Sequence, residues 1–214
     1  MRTDVFGRLQ DGISPGRDMR DDQKDARMQQ IEGVAYDLLA QVGYGGASML
    51  KVARAAKASN ETMYRWYGDK RGLFAAMVRR NASDLRDQLD AGRVAQTAPE
   101  DSLRQAAPAL LQMVLGDKAI LLNRAAACDA SGELGQVIAA EGRDQIAPRI
   151  SALIARLPDA RADQVRAQTD LFLSLLIGDR QIRRVIGTLP APGTEETRAE
   201  ADLAVTRFLL LLRS

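Results

Sequence analysis

Histidine is absent from the 214 residues, and Cys128 is the only cysteine. No His-based triad and no His-ligated metal site can be built from this chain. One cysteine excludes an intrachain disulfide. It also suits a reducing compartment, so a cytoplasmic location is expected. With no second cysteine to resolve a sulfenic acid, Cys128 reads as a buried helix residue rather than a redox sensor. Aromatic residues make up only 4%, so the core must be built from Ala, Leu, Val and Ile. The longest apolar runs, such as Phe208 to Leu212, fall far short of the roughly 18 residues a membrane span needs. The N-terminus intersperses Arg2, Asp4, Arg8 and Asp11 among few apolar residues, unlike a signal peptide. No set of polar groups suggests a catalytic centre, a cofactor or a metal. The expectations are no catalysis, no cofactor and no membrane partner.

Charge is present in quantity but unevenly placed. The net value of +2 conceals a basic segment. Residues 27–80 hold nine basic and four acidic side chains, a surplus of five. Residues 81–214 hold sixteen basic and eighteen acidic, and residues 1–26 five basic and six acidic. A compact basic stretch ahead of a mildly acidic body points to an anionic partner for that stretch alone.

Periodicity reads as helix throughout, with no repeats and no convincing alternation of period two. Residues 1–26 carry Gly7, Gly12, Pro15 and Gly16 among dense charges and are expected to be a flexible arm. From Arg27, Ile31, Val34, Ala35, Leu38, Leu39 and Val42 recur at helical spacing, with Gly43 at the place of a left-handed cap. Ser48 is a good N-cap for a short helix over Met49 to Ala56. That role also accounts for its chance S-x-x-K pattern with Lys51. Ser59 opens a second short helix, Asn60 to about Trp66, and Asp69 caps a longer one running through Leu73, Met77, Leu85 and Leu89. Further helices are expected over Leu103 to Leu115, Ala119 to Cys128, Leu134 to Ala140 and Ile146 to Leu157, the last with Pro148 in its first turn. Two long ones follow, Ala162 to Ile186 and Thr194 to Leu212, separated by the Pro190–Pro192 segment. The fold class is therefore all-α.

Two short helices joined by a tight turn and packed on a first helix form a helix-turn-helix. Its second helix must be short and polar outward to enter a major groove. Ser59, Asn60, Glu61, Thr62, Tyr64 and Arg65 supply that surface, while Ala58 and Met63 face inward. Hydroxyl and ammonium groups such as those of Thr62, Tyr64 and Lys70 suit phosphate oxygens, whereas contacts to base edges specify sequence.

The run from Val52 to Phe74, VARAAKASNETMYRWYGDKRGLF, resembles the TetR family of bacterial transcriptional regulators, as do Gly43-Tyr44 and Ser48-Met49 before it. The resemblance covers roughly residues 27–75. It implies an N-terminal helix-turn-helix domain over 27–75 and a helical effector-binding and dimerisation domain over 76–214. It further implies a homodimer on double-stranded operator DNA, most often a repressor released by a small-molecule effector. By position, Thr62, Tyr64 and Lys70 match the family's usual phosphate contacts, and Ser59 the start of the recognition helix. Asn60, Glu61 and Arg65 occupy variable positions suited to reading bases, Arg65 above all, because Arg to guanine is the commonest specific contact. Ser48, Lys57 and Trp66 complete the expected DNA-facing set. Lys57 departs from the family, whose turn usually has Gly there; a left-handed non-Gly residue costs roughly 1–2 kcal/mol.

Two expectations concern the body. Leu171, Leu175, Ile182, Val185, Phe208 and Leu212 are expected at a four-helix dimer interface, because the last helices are apolar on more than one face. Asp170, Asp179, Arg180, Arg183 and Arg184 would rim it. Met77, Leu110, Met113, Leu121, Arg124 and Phe172 are expected to line an effector pocket, with Arg124 facing an acidic ligand.

Overall fold

The computed structural model of the chain describes residues 15–213. Those residues form twelve α-helices and one π-helical turn, with no strand among them. α1 spans Pro15–Gly46 and is kinked at Gly43 (φ 65°, ψ 176°). Gly43 takes the positive φ expected of a glycine cap, but its ψ kinks the chain instead of ending the helix, and one further turn follows. The arm expected over 1–26 lies outside the described residues up to 14, and over 15–26 the chain is helical instead. Long-range partners explain this difference. Asp25 accepts two hydrogen bonds from Arg80 at 2.9 and 3.2 Å, and Arg27 donates to the carbonyls of Ala56 and Lys57. Charge density alone could not reveal those partners.

The helix-turn-helix follows. α2 is Met49–Ala55, α3 is Asn60–Tyr67 and α4 is Lys70–Asn81. Three side chains start these helices as expected. Ser48 Oγ accepts from Lys51 N, Ser59 Oγ from Thr62 N and Asp69 from Gly72 N, each satisfying one orphan N–H of a first turn.

α4 does not run on through Leu89. It ends at Asn81, and α5 (Ser83–Val94) follows after Ala82, with Ser83 Oγ donating back to the Arg80 carbonyl at 2.8 Å. α6 (Pro99–Leu115) begins a turn earlier than the apolar pattern, at a proline tolerated in the first turn. α7 (Asp117–Ala127) leads to α8 (Glu133–Ile138), a π turn (Ala139–Arg143) and α9 (Asp144–Ile154), which run on without a break. Pro148 thus lies inside α9 rather than in a first turn. The Ala162–Ile186 helix is two: α10 (Val165–Ile177) and α11 (Arg180–Val185). Gly178 separates them in a conformation (φ 53°, ψ −137°) that only glycine adopts easily. α12 spans Thr194–Leu212.

Burial divides the molecule into two cores. The first gathers Ile31, Val52, Met63, Tyr67, Phe74, Met77 and Val78 with Leu122, Ala125, Leu134 and Val137 of α7 and α8. The second gathers Leu85, Leu103, Leu111, Ile150, Phe172, Leu176, Val205 and Phe208 from α5, α6, α9, α10 and α12. The boundary drawn at 75/76 from sequence therefore falls inside one core. α7 and α8 complete the packing of the N-terminal helices.

Candidate nucleic-acid interface and effector cavity

The turn between α2 and α3 is held from both sides. Lys57 sits at φ 51°, in the left-handed region. Ala58 N bonds the Ala53 carbonyl at 2.9 Å, and Lys57 N the Arg54 carbonyl at 3.1 Å. The first of these is the six-to-one bond that closes a helix on a left-handed residue. Arg27 then caps the carbonyls of Ala56 and Lys57 at 2.8 and 2.9 Å. The conformation normally assigned to glycine is thus fixed by a guanidinium from α1, a partner far away in sequence.

α3 presents a divided surface. Met63 is 0% exposed and Tyr67 is buried, anchoring the helix. Ser59, Asn60, Glu61, Tyr64 and Arg65 are exposed on the opposite side, with Thr62 half-buried. Ser59 Oγ donates to Thr62 Oγ1 at 2.9 Å, and Arg65 lies 3.6 Å from Glu61 in an exposed i,i+4 pair. Both partners stay accessible, and such a pair contributes little on its own. Ser48 and Lys57 are exposed on the neighbouring elements, together with Arg54, which sequence reading passed over. Trp66 is half-buried against the first core. It shields the domain more than it projects.

Lys70 does not point freely outward. Its ammonium donates to the Tyr44 carbonyl and lies 3.9 Å from the centre of the Tyr44 ring. Partial burial lowers its pKa from the ordinary lysine value. Tyr44 meets Phe74 edge-on at 5.6 Å, so this lysine ties the end of α1 to the start of α4. At that junction a Cβ on Gly72 would stand 1.9 Å from the Tyr67 carbonyl oxygen. α4 therefore starts directly against the end of α3.

A charge cluster around the buried Glu32 fixes α4 to the rest of the domain. Glu32 is 2% exposed and accepts hydrogen bonds from Arg80 and, at 3.5 Å, from the Tyr67 hydroxyl. Burial pushes its carboxyl above the usual value while Arg80 pulls it back. The Arg80 guanidinium spans Glu32 and Asp25 and is held above the usual arginine value. Tyr36 adds a hydrogen bond to the Met77 carbonyl at 3.2 Å. Nothing in the sequence pattern pairs residue 32 with residue 80.

A cavity of about 620 Å³ opens between the two cores. Val78 and Asn81 of α4 form part of its wall. Leu110, Met113, Leu122, Ile138, Ile146, Leu173 and Ile177 make it apolar, and Asn123, Arg143, Asp170 and Gln181 add polar groups. Of the expected lining residues, Leu110 and Met113 are there. Met77 and Leu121 pack into the first core and Phe172 is wholly buried in the second, beside Phe208 at 5.2 Å. Arg124 faces elsewhere, donating to the carbonyls of Val185 and Arg184 at 2.7 and 3.1 Å. It caps the end of α11, a role consistent with a cation at a helix C-terminus. Helical spacing selects apolar residues but does not tell a cavity wall from a filled core. The π turn on this wall meets α4 closely. Glu141 pairs with Arg79 at 2.9 Å, and a Cβ on Gly142 would stand 3.4 Å from Val78.

The expected interface residues also separate. Leu171 and Ile182 are exposed, and Leu175 and Val185 are half-buried. Phe208 and Leu212 are buried in the second core. Exposed Ile186, Leu203 and Leu210 extend the apolar surface of α10–α12. Arg184, expected on the rim, is buried and pairs with Asp117 at 2.6 Å. Cys128, expected inside, is exposed at the end of α7.

A short, outward-polar α3 behind a capped tight turn defines a helix-turn-helix DNA-binding protein. Residues 33–77 match the family model described as bacterial regulatory proteins, tetR family. Solved structures share the fold. A TetR transcriptional regulator from Agrobacterium tumefaciens is 29% identical, with a TM-score of 0.66 over 86% of this chain and 93% of that one. A TetR-family regulator from Mesorhizobium loti MAFF303099 is 21% identical, with a TM-score of 0.69 over 87% and 96%. The transcriptional regulator FadR from Bacillus subtilis, solved with stearoyl-CoA, is 12% identical, with a TM-score of 0.66 over 84% and 96%. No curated protein matches the chain by sequence. In its helix-turn-helix sequence and its overall fold the chain is similar to DNA-binding transcriptional regulators of the TetR family. Among the described residues no helix is long and apolar enough to cross a membrane.

Proposed function

We propose that the chain is a homodimeric repressor released from its operator by a small-molecule effector. The observation that carries this reading is the position of the cavity. It lies on the seam between the two cores and borders α4, whose first turn abuts the end of α3. A ligand filling the cavity would press on Val78 and Asn81 and so favour another seating of α4. Any effect on DNA affinity follows from unequal ligand affinity for the two seatings.

α3 would enter the major groove. Arg65, Asn60 and Glu61 would read base edges, while Ser59, Thr62, Tyr64 and Lys57 would meet phosphates together with Ser48. Lys70 would act partly through Tyr44, and Trp66 would border the contact. The dimer would form through Leu171, Leu175, Ile182 and Val185, joined by Ile186, Leu203 and Leu210. The effector would be mainly hydrophobic, as the cavity wall suggests; the stearoyl-CoA bound by Bacillus subtilis FadR is in keeping with that class.

Footprinting on the promoter beside its own gene tests the reading. Protection should span two half-sites, weaken steeply as salt rises, and be lost for Ile182→Glu, which sedimentation should show to be monomeric. A folded dimer that selects no operator from genomic fragments would overturn it.

A further inference from the structure

A second cavity, of about 380 Å³, lies between α5, α6 and α9. It uses the N-terminal half of α6 and the C-terminal half of α9, and it shares no residue with the cavity that borders α4. Its size falls within the range of small-molecule sites. Leu89, Ala106, Ala152 and Leu153 give it an apolar floor.

Two features of its polar groups point to a ligand. The first is Ser102 in the second turn of α6. A serine there usually donates to the carbonyl four residues back, yet its Oγ is buried and has no hydrogen-bond partner. Buried polar atoms are rarely left so. The second is the charge. Arg149 and Asp90 neutralise each other through two bonds of 3.0 Å. The Arg93 guanidinium forms no hydrogen bond or close ion pair with any described residue and acts on Asp90 only at longer range, and the Arg156 side chain makes a single bond to the Thr97 carbonyl. The cavity thus keeps an unneutralised positive charge. Gly92 stands between these groups in sequence and space. A Cβ there would lie 3.8 Å from Ser102 Oγ, so the glycine keeps a larger side chain away from the hydroxyl.

We infer that this cavity binds a small organic carboxylate, with its apolar body on the floor and its carboxylate oxygens taking hydrogen bonds from Ser102 and Arg93. One free guanidinium and one hydroxyl suit a monoanion with an apolar tail. A phosphate dianion would leave the floor unused. The inference stands apart from the repressor reading, since the site neither borders α4 nor needs DNA.

The test follows methyl resonances of the full-length protein during titration with hexanoate, hexanol and inorganic phosphate. Hexanoate should shift Leu89, Ala106, Ala152 and Leu153 saturably, with hexanol and phosphate binding at least about tenfold more weakly. Arg93→Gln should weaken hexanoate by about tenfold, since a charge-assisted hydrogen bond is lost. Ser102→Ala should weaken it severalfold. Gly92→Leu should abolish the shifts without lowering the melting temperature, because leucine favours a helix more than glycine does. Unmoved floor methyls at millimolar hexanoate, equal binding of hexanol, or shifts confined to Leu110 and Leu173 would each overturn the inference. So would Arg93→Gln and Ser102→Ala both binding hexanoate like the unaltered chain.

Discussion

The two cores are built by different means. The first has local caps at the start of each short helix and draws its last apolar layer from α7 and α8. The second joins five helices through contacts distant in sequence. Local caps start the DNA-facing helices and a few long-range charged contacts from Arg27 and Arg80 tie them together, whereas the body depends on apolar packing that no short segment can specify. The cavity sits where these two kinds of order meet. A seam between separately built cores is the place where one can move relative to the other with the least repacking.

Truncating each core should give the largest effects. Met63→Ala and Phe172→Ala each remove a wholly buried side chain and should cost about 2–5 kcal/mol in denaturant unfolding. If the cores differ as described, Met63→Ala should also abolish operator binding at temperatures where the chain is still folded by circular dichroism. Phe172→Ala should alter the response to cavity ligands first. Equal loss of both properties in both variants would break the comparison.

Arg65→Ala comes next. It should lower affinity for the best operator by about 1–3 kcal/mol and relax selection at one base position in a randomised-site experiment. Lys57→Gly then tests how the turn is held. Relief of left-handed strain should stabilise the chain by about 1 kcal/mol. The gain should be smaller than that figure if Arg27 already fixes the carbonyls of Ala56 and Lys57. Arg27→Ala should lower the melting temperature more in the lysine chain than in the glycine chain.

The smallest effect concerns the contact between the π turn and α4. The hydrogen bond from Arg79 holds the Glu141 carboxyl below the usual glutamate value. The pair therefore stabilises the fold above the ordinary value of 4.5 and its contribution is lost as pH falls through the lower folded value. It is partly exposed, so Glu141→Gln should cost under about 1 kcal/mol near neutral pH. The difference between variant and parent should vanish in acid, as thermal melts across pH would show.

Legibility in the sequence follows the same division. Ser48, Ser59 and Asp69 act within three residues of themselves, so spacing alone reveals the helices they start. Met63 and Tyr67 face inward as their period requires. Long-range partners were hidden. Asp25 and Glu32 meet Arg80, and Arg27 meets the turn, which is why a charged stretch read as an arm is helix from residue 15. In the body, Phe172 and Leu110 have the same character in a helical pattern, yet one fills a core and the other faces a cavity. Phe208 and Leu212, expected at an interface, lie in the second core for a related reason. An all-round apolar helix has an inner and an outer side that only its neighbours decide.

Gly72 gives the junction of α3 and α4 a further consequence. Every missense change at its codon adds a Cβ where the Tyr67 carbonyl already stands. In a saturation mutagenesis screen scored by reporter repression, position 72 should be a nearly empty column. Neighbouring exposed Arg71 should accept most replacements. The cavity wall can then diversify toward new ligands by ordinary drift while the joint that would relay them to α3 admits almost no variation. Selection for altered specificity in this scaffold should accordingly return changes in the walls and in α3, and none at the hinge between them.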